Sequence, residues 1–122
     1  MADVTYSINV NITSPGLAQS LIATGVTSDF STAGLLAVTL NLDTATQAVS
    51  TVSASVLGLC YARSLNTTST HTVSFGRLSG TTLFETVRLK GGDAALLRLA
   101  PGNYGARSVA AGGRLLLQIL ED

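Results

Sequence analysis

Val4-Thr5-Tyr6-Ser7-Ile8-Asn9-Val10-Asn11-Ile12 alternates without a break: Val4, Tyr6, Ile8, Val10 and Ile12 hold one parity, Thr5, Ser7, Asn9 and Asn11 the other. Side chains of an extended chain point to opposite faces in turn. The stretch therefore has the period of a half-buried strand, written in the β-branched and aromatic residues that suit a pleated surface. Ser14-Pro15-Gly16 ends it, Pro by fixing φ and Gly by permitting the turn. The next segment, Leu17 to Phe30, stays open between two readings: Leu17, Leu21 and Ile22 suit a short helix, Thr24, Val26 and Thr27 a strand.

Further along, Leu36, Val38, Leu40 and Leu42 restore the alternation, and residues 49–63 read as one or two strands with Gly58 as a bulge or bend. Asn66 to Thr70 is a polar loop. His71, Val73 and Phe75 alternate again, Gly76 and Ser79-Gly80 bracket a turn, and Leu83, Val87 and Leu89 mark a strand. Lys90-Gly91-Gly92-Asp93 has the composition of a hairpin turn leading to Ala95, Leu97 and Leu99. Pro101-Gly102-Asn103 is another turn, and Gly112-Gly113 opens a last strand, Arg114 to Leu120. Strands recurring every ten to twelve residues or so, with no convincing helical period between them, predict an all-β chain: an antiparallel β-sandwich or jelly roll of about eight strands. The 122 residues fit a single domain spanning 1–122, with no repeat or linker to divide it.

The last strand is apolar on both faces. Leu115, Leu117 and Ile119 point one way, and Leu116 and Leu120 the other, with Gln118 between them. Such a strand does not leave one face to water. Either another part of the chain covers the second face or a neighbouring subunit does. The few residues left to form a cover favour the subunit, which makes Leu116, Leu120 and, more weakly, Leu96 candidate interface residues, the same argument reaching Leu97 as well.

Charged residues make up 11 % of the chain, against about a quarter in an average soluble domain, so little charge repulsion keeps copies apart. The net charge is zero, which provides no field to steer the chain to nucleic acid or an anionic membrane. Every Lys and Arg lies at or beyond Arg63, while the first sixty residues hold only Asp3, Asp29 and Asp43. The two halves are placed to complement each other within a fold or between subunits, unless the asymmetry is chance in a charge-poor chain. No apolar run approaches the ~20 residues of a membrane-spanning helix, and the N-terminus lacks the basic-then-apolar pattern of a signal peptide.

Chemistry has little to work with. His71 is the only histidine and no Gly-x-Ser-x-Gly elbow accompanies it; Cys60, the only cysteine, lies in an apolar run where a thiol behaves as a small hydrophobe. Asp29, Asp43, Glu85 and Asp93 are too dispersed to suggest a carboxylate pair. No zinc, EF-hand or phosphate-loop motif is present, so the expectation is a protein that is not an enzyme and needs no cofactor or metal. Arg77, Arg88, Lys90 and Arg98 would have to share one sheet face to bind nucleic acid, and only Phe84 offers a nearby ring. A sugar site would rest on Tyr61 and Tyr104, in a chain without Trp.

The stretch from residue 58 to 122 carries a cadence of its own. It runs through Cys60-Tyr61-Ala62-Arg63-Ser64-Leu65-Asn66, Phe84, Leu89-Lys90-Gly91-Gly92-Asp93, Ala95-Leu96-Leu97-Arg98-Leu99-Ala100-Pro101 and Tyr104-Gly105-Ala106 to an apolar strand closed by two acids. It resembles small virion structural proteins of tailed phages and prophages, with Ser64 and Asp93 standing where Asn and Glu are commoner. The resemblance covers about half the chain, and its motifs are turns rather than a site, so no functional residue is carried over. It implies a capsid decoration or cement protein, assembled in the host cytoplasm into the virion. Its partners would be itself, with a trimer favoured, and the major capsid protein or other virion proteins. The alternative is a carbohydrate- or receptor-binding β-sandwich module of a phage tail or fibre.

Overall fold

The computed structural model describes residues 2–30, 35–49, 57–68 and 71–121, and among them every regular element is a strand. The chain divides into two compact units, Met1–Ala33 and Gly34–Asp122.

The first unit is one long antiparallel hairpin, β1 (Ala2–Ser14) and β2 (Leu17–Phe30). The segment that local pattern leaves undecided, Leu17 to Phe30, is thus a strand: pairing with β1 settles what its mixed propensities do not. Pro15-Gly16 makes the turn, with Gly16 at φ 78°. The register slips between Tyr6 and Ile8, where β2 carries one extra residue at Thr24-Gly25. Gly25 adopts φ 62° and donates its N–H to Ser7 Oγ at 3.1 Å, a left-handed bulge position that a side chain would strain. Because of this bulge, Val26, Ala23 and Leu21 all come opposite the apolar parity of β1, facing Tyr6, Ile8 and Val10. Ser20, paired with Asn11 and donating to its Oδ1 at 3.0 Å, lies on the polar side.

The second unit holds eight strands, which with the hairpin makes ten among the described residues, against about eight expected for the whole chain. These are β3 (Leu35–Leu42), β4 (Gln47–Val49), β5 (Leu57–Ser64), β6 (Val73–Ser79), β7 (Thr82–Leu89), β8 (Ala94–Arg98), β9 (Tyr104–Ser108) and β10 (Gly113–Glu121). They form two four-stranded sheets, β3-β10-β5-β8 and β4-β9-β6-β7, with every neighbouring pair antiparallel. Apart from the β6–β7 hairpin, each successive strand changes sheet, which is the strand order of a jelly roll. Both sheets contribute to one core: Leu115, Leu117 and Ile119 of β10 are wholly buried with Cys60 and Ala62, together with Val73, Phe75, Tyr104 and Ala106 from the other sheet.

Three local expectations need correcting. Lys90 to Asp93 is a tight turn, closed by Asp93 N–H to Lys90 O at 3.0 Å and by Lys90 N–H to Asp93 Oδ2 at 3.0 Å. It is not a hairpin, because β7 pairs with β6 and β8 pairs with β5 across the core. Gly76 lies inside β6, at a register slip against β7, where a β-carbon would overlap the Phe84 carbonyl oxygen. Arg88 and Arg98 belong to different sheets, so the basic residues do not line one face. Gly58 lies where the β5–β10 register shifts, between the pairs Ile119–Cys60 and Glu121–Leu57. The remaining part of the 49–63 reading, residues 50–56, and the loop residues 69–70 are outside the described residues.

Candidate functional site: an apolar arm, an outer sheet face and a polar cleft

Alternation and register place Leu96, Leu116 and Leu120 on one surface. On β10, Leu115, Leu117 and Ile119 enter the core, so Arg114, Leu116, Gln118 and Leu120 face outward. Register then brings Arg63 opposite Leu116, Tyr61 opposite Gln118, and Leu96 of β8 opposite Tyr61. Leu96, Leu116, Leu120 and Tyr61 are half-buried, while Arg63, Arg114 and Gln118 are exposed. Leu59, on this face beside Arg98, is itself buried. Leu97, grouped with Leu96 in the sequence, points the other way and packs on the core. The outer face of β3-β10-β5-β8 is thus a leucine and tyrosine surface edged by guanidinium groups.

The hairpin is the feature the sequence pattern leaves unassigned. Its β1 alternation shows one apolar face but not what that face meets. Ile8, Val10 and Leu21, on the apolar face, are 41 %, 43 % and 49 % exposed, values that in a folded domain belong to surface residues. Val4, Tyr6, Ile12 and Val26 are half-buried. A two-stranded ribbon is marginally stable at best in water, since it has no second layer to pack on.

The outer face of the β4-β9-β6-β7 sheet is polar by contrast. A cleft of about 350 Å³ there is lined by Thr44, Thr72, Ser74, Glu85, Arg88 and Arg107, among others. Arg88 Nε donates to Glu85 Oε2 at 3.0 Å; Arg107 donates from Nε at 2.9 Å and from Nη2 to the opposite carboxylate oxygen, Oε1. Hydrogen bonds from Arg88, then from Arg107, hold the Glu85 carboxyl below its usual pKa, so it stays ionised and is a poor proton donor.

His71 and Ser108 are 2.9 Å apart, Nε2 to Oγ, the spacing of a nucleophile and its base. Nε2 also lies 3.3 Å from the carbonyl oxygen of Ala110, which only accepts. With the proton on Nε2 that nitrogen donates to both oxygens, and in that tautomer it does not act as a general base toward Ser108. Ser108 is moreover 3 % exposed. Cys60 is fully buried, and burial pushes its thiol up to about 11. Among the described residues, no three His, Cys, Asp or Glu side chains cluster to hold a metal ion. No helix there is long and apolar enough to cross a membrane.

Tyr104 does not border an open site. It is 5 % exposed, stacks on Phe75 with ring centroids 5.5 Å apart, and donates its hydroxyl to Ala100 O at 2.6 Å. Of the two tyrosines considered for stacking on a sugar, only Tyr61 reaches a surface, the outer leucine face. Comparison with protein-family models, curated proteins and solved structures finds no match.

Proposed function

We propose that this chain is a virion structural protein of a tailed phage, most simply a capsid decoration or cement protein that acts by homo-oligomeric assembly on the shell. The observation that carries the assembly reading is the exposed apolar face of the β1–β2 arm, with Ile8, Val10 and Leu21 each more than 40 % open. Three further features support it. The charge-poor composition lets copies approach. The eight-stranded unit has the jelly-roll order found in viral capsid domains. The cadence of residues 58–122 resembles phage virion proteins. In this reading the protein works without chemistry: many modest contacts, repeated over a shell, sum by multivalency.

The test is the mass of the full-length chain by light scattering across a concentration series, together with co-sedimentation on the capsids encoded beside its gene. A trimer or larger species that pellets with capsids is expected. A monomer at the highest concentrations with no affinity for capsids overturns the reading.

The polar cleft favours the second reading, a carbohydrate- or receptor-binding module of a tail or fibre. Its threonine and serine hydroxyls and two guanidinium groups are the donors and acceptors a sugar or acidic ligand would use. A glycan-array signal lost in Arg107→Ala would promote it over the first.

A further inference from the structure

We propose that the cleft on the outer face of the β4-β9-β6-β7 sheet binds a saccharide bearing a negative charge, with the anionic group seated between Arg88 and Arg107 over Ser74. This rests on the binding-module reading of the same cleft and names the ligand class that reading leaves open.

Register builds the site. Ser74 of β6 pairs with Arg88 of β7 on one side and with Arg107 of β9 on the other, so the three form one rung across the sheet. Val73 and Phe75 enter the core, which turns Ser74 to the outer face. Adjacent strands lie about 4.8 Å apart, so the two arginines leave the backbone about 10 Å from each other with only a serine between them. Ser74 lines the cleft and is 4 % exposed, yet its hydroxyl makes no hydrogen bond to another side chain among the described residues. A polar group so deep in a cleft and without a partner is placed to meet a ligand.

The guanidinium groups on either side are held ready. Each turns Nε and Nη2 to Glu85, Arg88 toward Oε2 and Arg107 toward Oε1. A guanidinium has five N–H donors in a fixed fork, so this grip orients both planes and leaves the Nη1 donors for another acceptor. Glu85 stays ionised and cancels one of the two positive charges, which leaves the three groups at +1. Ion pairs as exposed as these add little to stability. Two arginines sharing one acid are instead an arrangement that offers charge-assisted hydrogen bonds to a second anion.

The lining selects what carries that anion. Among the described residues no aromatic ring borders the cleft, so a neutral sugar lacks its usual stacking surface and must be held by other means. Thr44 and Thr72 add hydroxyls around the charged rung, and Val109, 62 % exposed, adds an apolar wall. Hydroxyl groups beside a small apolar surface match a sugar ring. A volume of about 350 Å³ is at the small end of ligand sites, room for a short saccharide. Ser108 contributes least, because its hydroxyl is already engaged by His71 and the Ala110 N–H.

The test is an NMR titration of the full-length chain at low salt with glucuronate, a glucose sulfate ester, glucose and sulfate ion. At least one acidic sugar should shift the amides of Ser74, Arg88 and Arg107, binding tenfold or more tightly than glucose or free sulfate. The better of the two identifies the anionic group, and its affinity should fall as salt is added. Arg88→Gln and Arg107→Gln should each weaken binding at least tenfold, with circular dichroism unchanged. Arg63→Gln removes the same charge from an exposed position on the other sheet and should leave binding as it was. An equal loss in Arg63→Gln, or sulfate bound as tightly as the acidic sugars, means a general attraction for anions and overturns the inference. Neutral glycans bound in an Arg107-dependent way, with no response to either acidic sugar, overturn it while the binding-module reading stands. No shift of these amides with any sugar overturns both.

Discussion

The two units of this chain bury their apolar residues to opposite degrees. In β10, Leu115, Leu117 and Ile119 are wholly buried between two sheets. In the β1–β2 arm, an alternation of the same kind leaves Ile8, Val10 and Leu21 nearly half exposed. The residue types and the period are the same, and what differs is the number of layers. A strand in a four-stranded sheet facing another sheet has partners above and beside it, whereas β1 and β2 have only each other as strand partners. A period-two pattern therefore reports which face is meant to be covered, and not whether the chain itself supplies the cover.

The contrast is sharpest in hydrogen exchange. In dilute solution, amides of β1 and β2 should exchange at least roughly a thousandfold faster than those of β10, because a ribbon opens locally while β10 opens only with the global unfolding of the jelly roll. On raising the concentration, arm protection should grow while β10 protection changes little. Arm amides as slow as those of β10 in the dilute chain would break the comparison.

Truncating one side chain in each unit gives the next largest effect. Leu117→Ala removes a wholly buried side chain and should cost about 3 kcal/mol in denaturant unfolding. Val10→Ala, on the arm, should shift the same transition by less than about 0.5 kcal/mol and act instead on self-association. Equal losses in the unfolding of the dilute chain would mean that the arm is part of the core.

The smallest effect concerns Glu85. Its folded pKa lies below the ordinary carboxylate value, so its ion pairs stabilise the protein above that value and lose their contribution as pH falls through the lower, folded one. Glu85→Gln should therefore be less stable than the parent at neutral pH and equal to it in acid, with only a modest gap because Arg88 and Arg107 are 73 % and 47 % exposed. A gap that persists unchanged in acid would show that the loss comes from packing rather than charge.

Much of the fold was legible without coordinates. The strand at residues 4–12, the turn at Pro15-Gly16, the strands around Leu36–Leu42 and Leu83–Leu89 and the two-faced strand at Arg114–Leu120 all follow from local alternation and turn residues. Leu96, Leu116 and Leu120 also came to one surface, because the parity of a strand fixes its outer residues once the inner ones are known. The Leu17–Phe30 segment did not reveal itself, since its mixed propensities are resolved by pairing with β1. Tyr104, beside the Pro101-Gly102-Asn103 turn, was a candidate for stacking on a sugar, yet its ring stacks on Phe75 from another strand of the sheet, a contact no local window contains.

What the sequence determined by itself is periodicity, turn chemistry and the scarcity of catalytic groups, all properties of neighbours along the chain. Only the tertiary structure decided that Lys90–Asp93 carries the chain across the core rather than folding it back. It also decided that Glu85 meets Arg107 from a distant strand, and that the first thirty residues stand as a unit of their own. Those outcomes depend on which strand pairs with which, and on whether a second layer is present. Such choices are made by the free energy of the whole core, to which residues far apart in the chain contribute together.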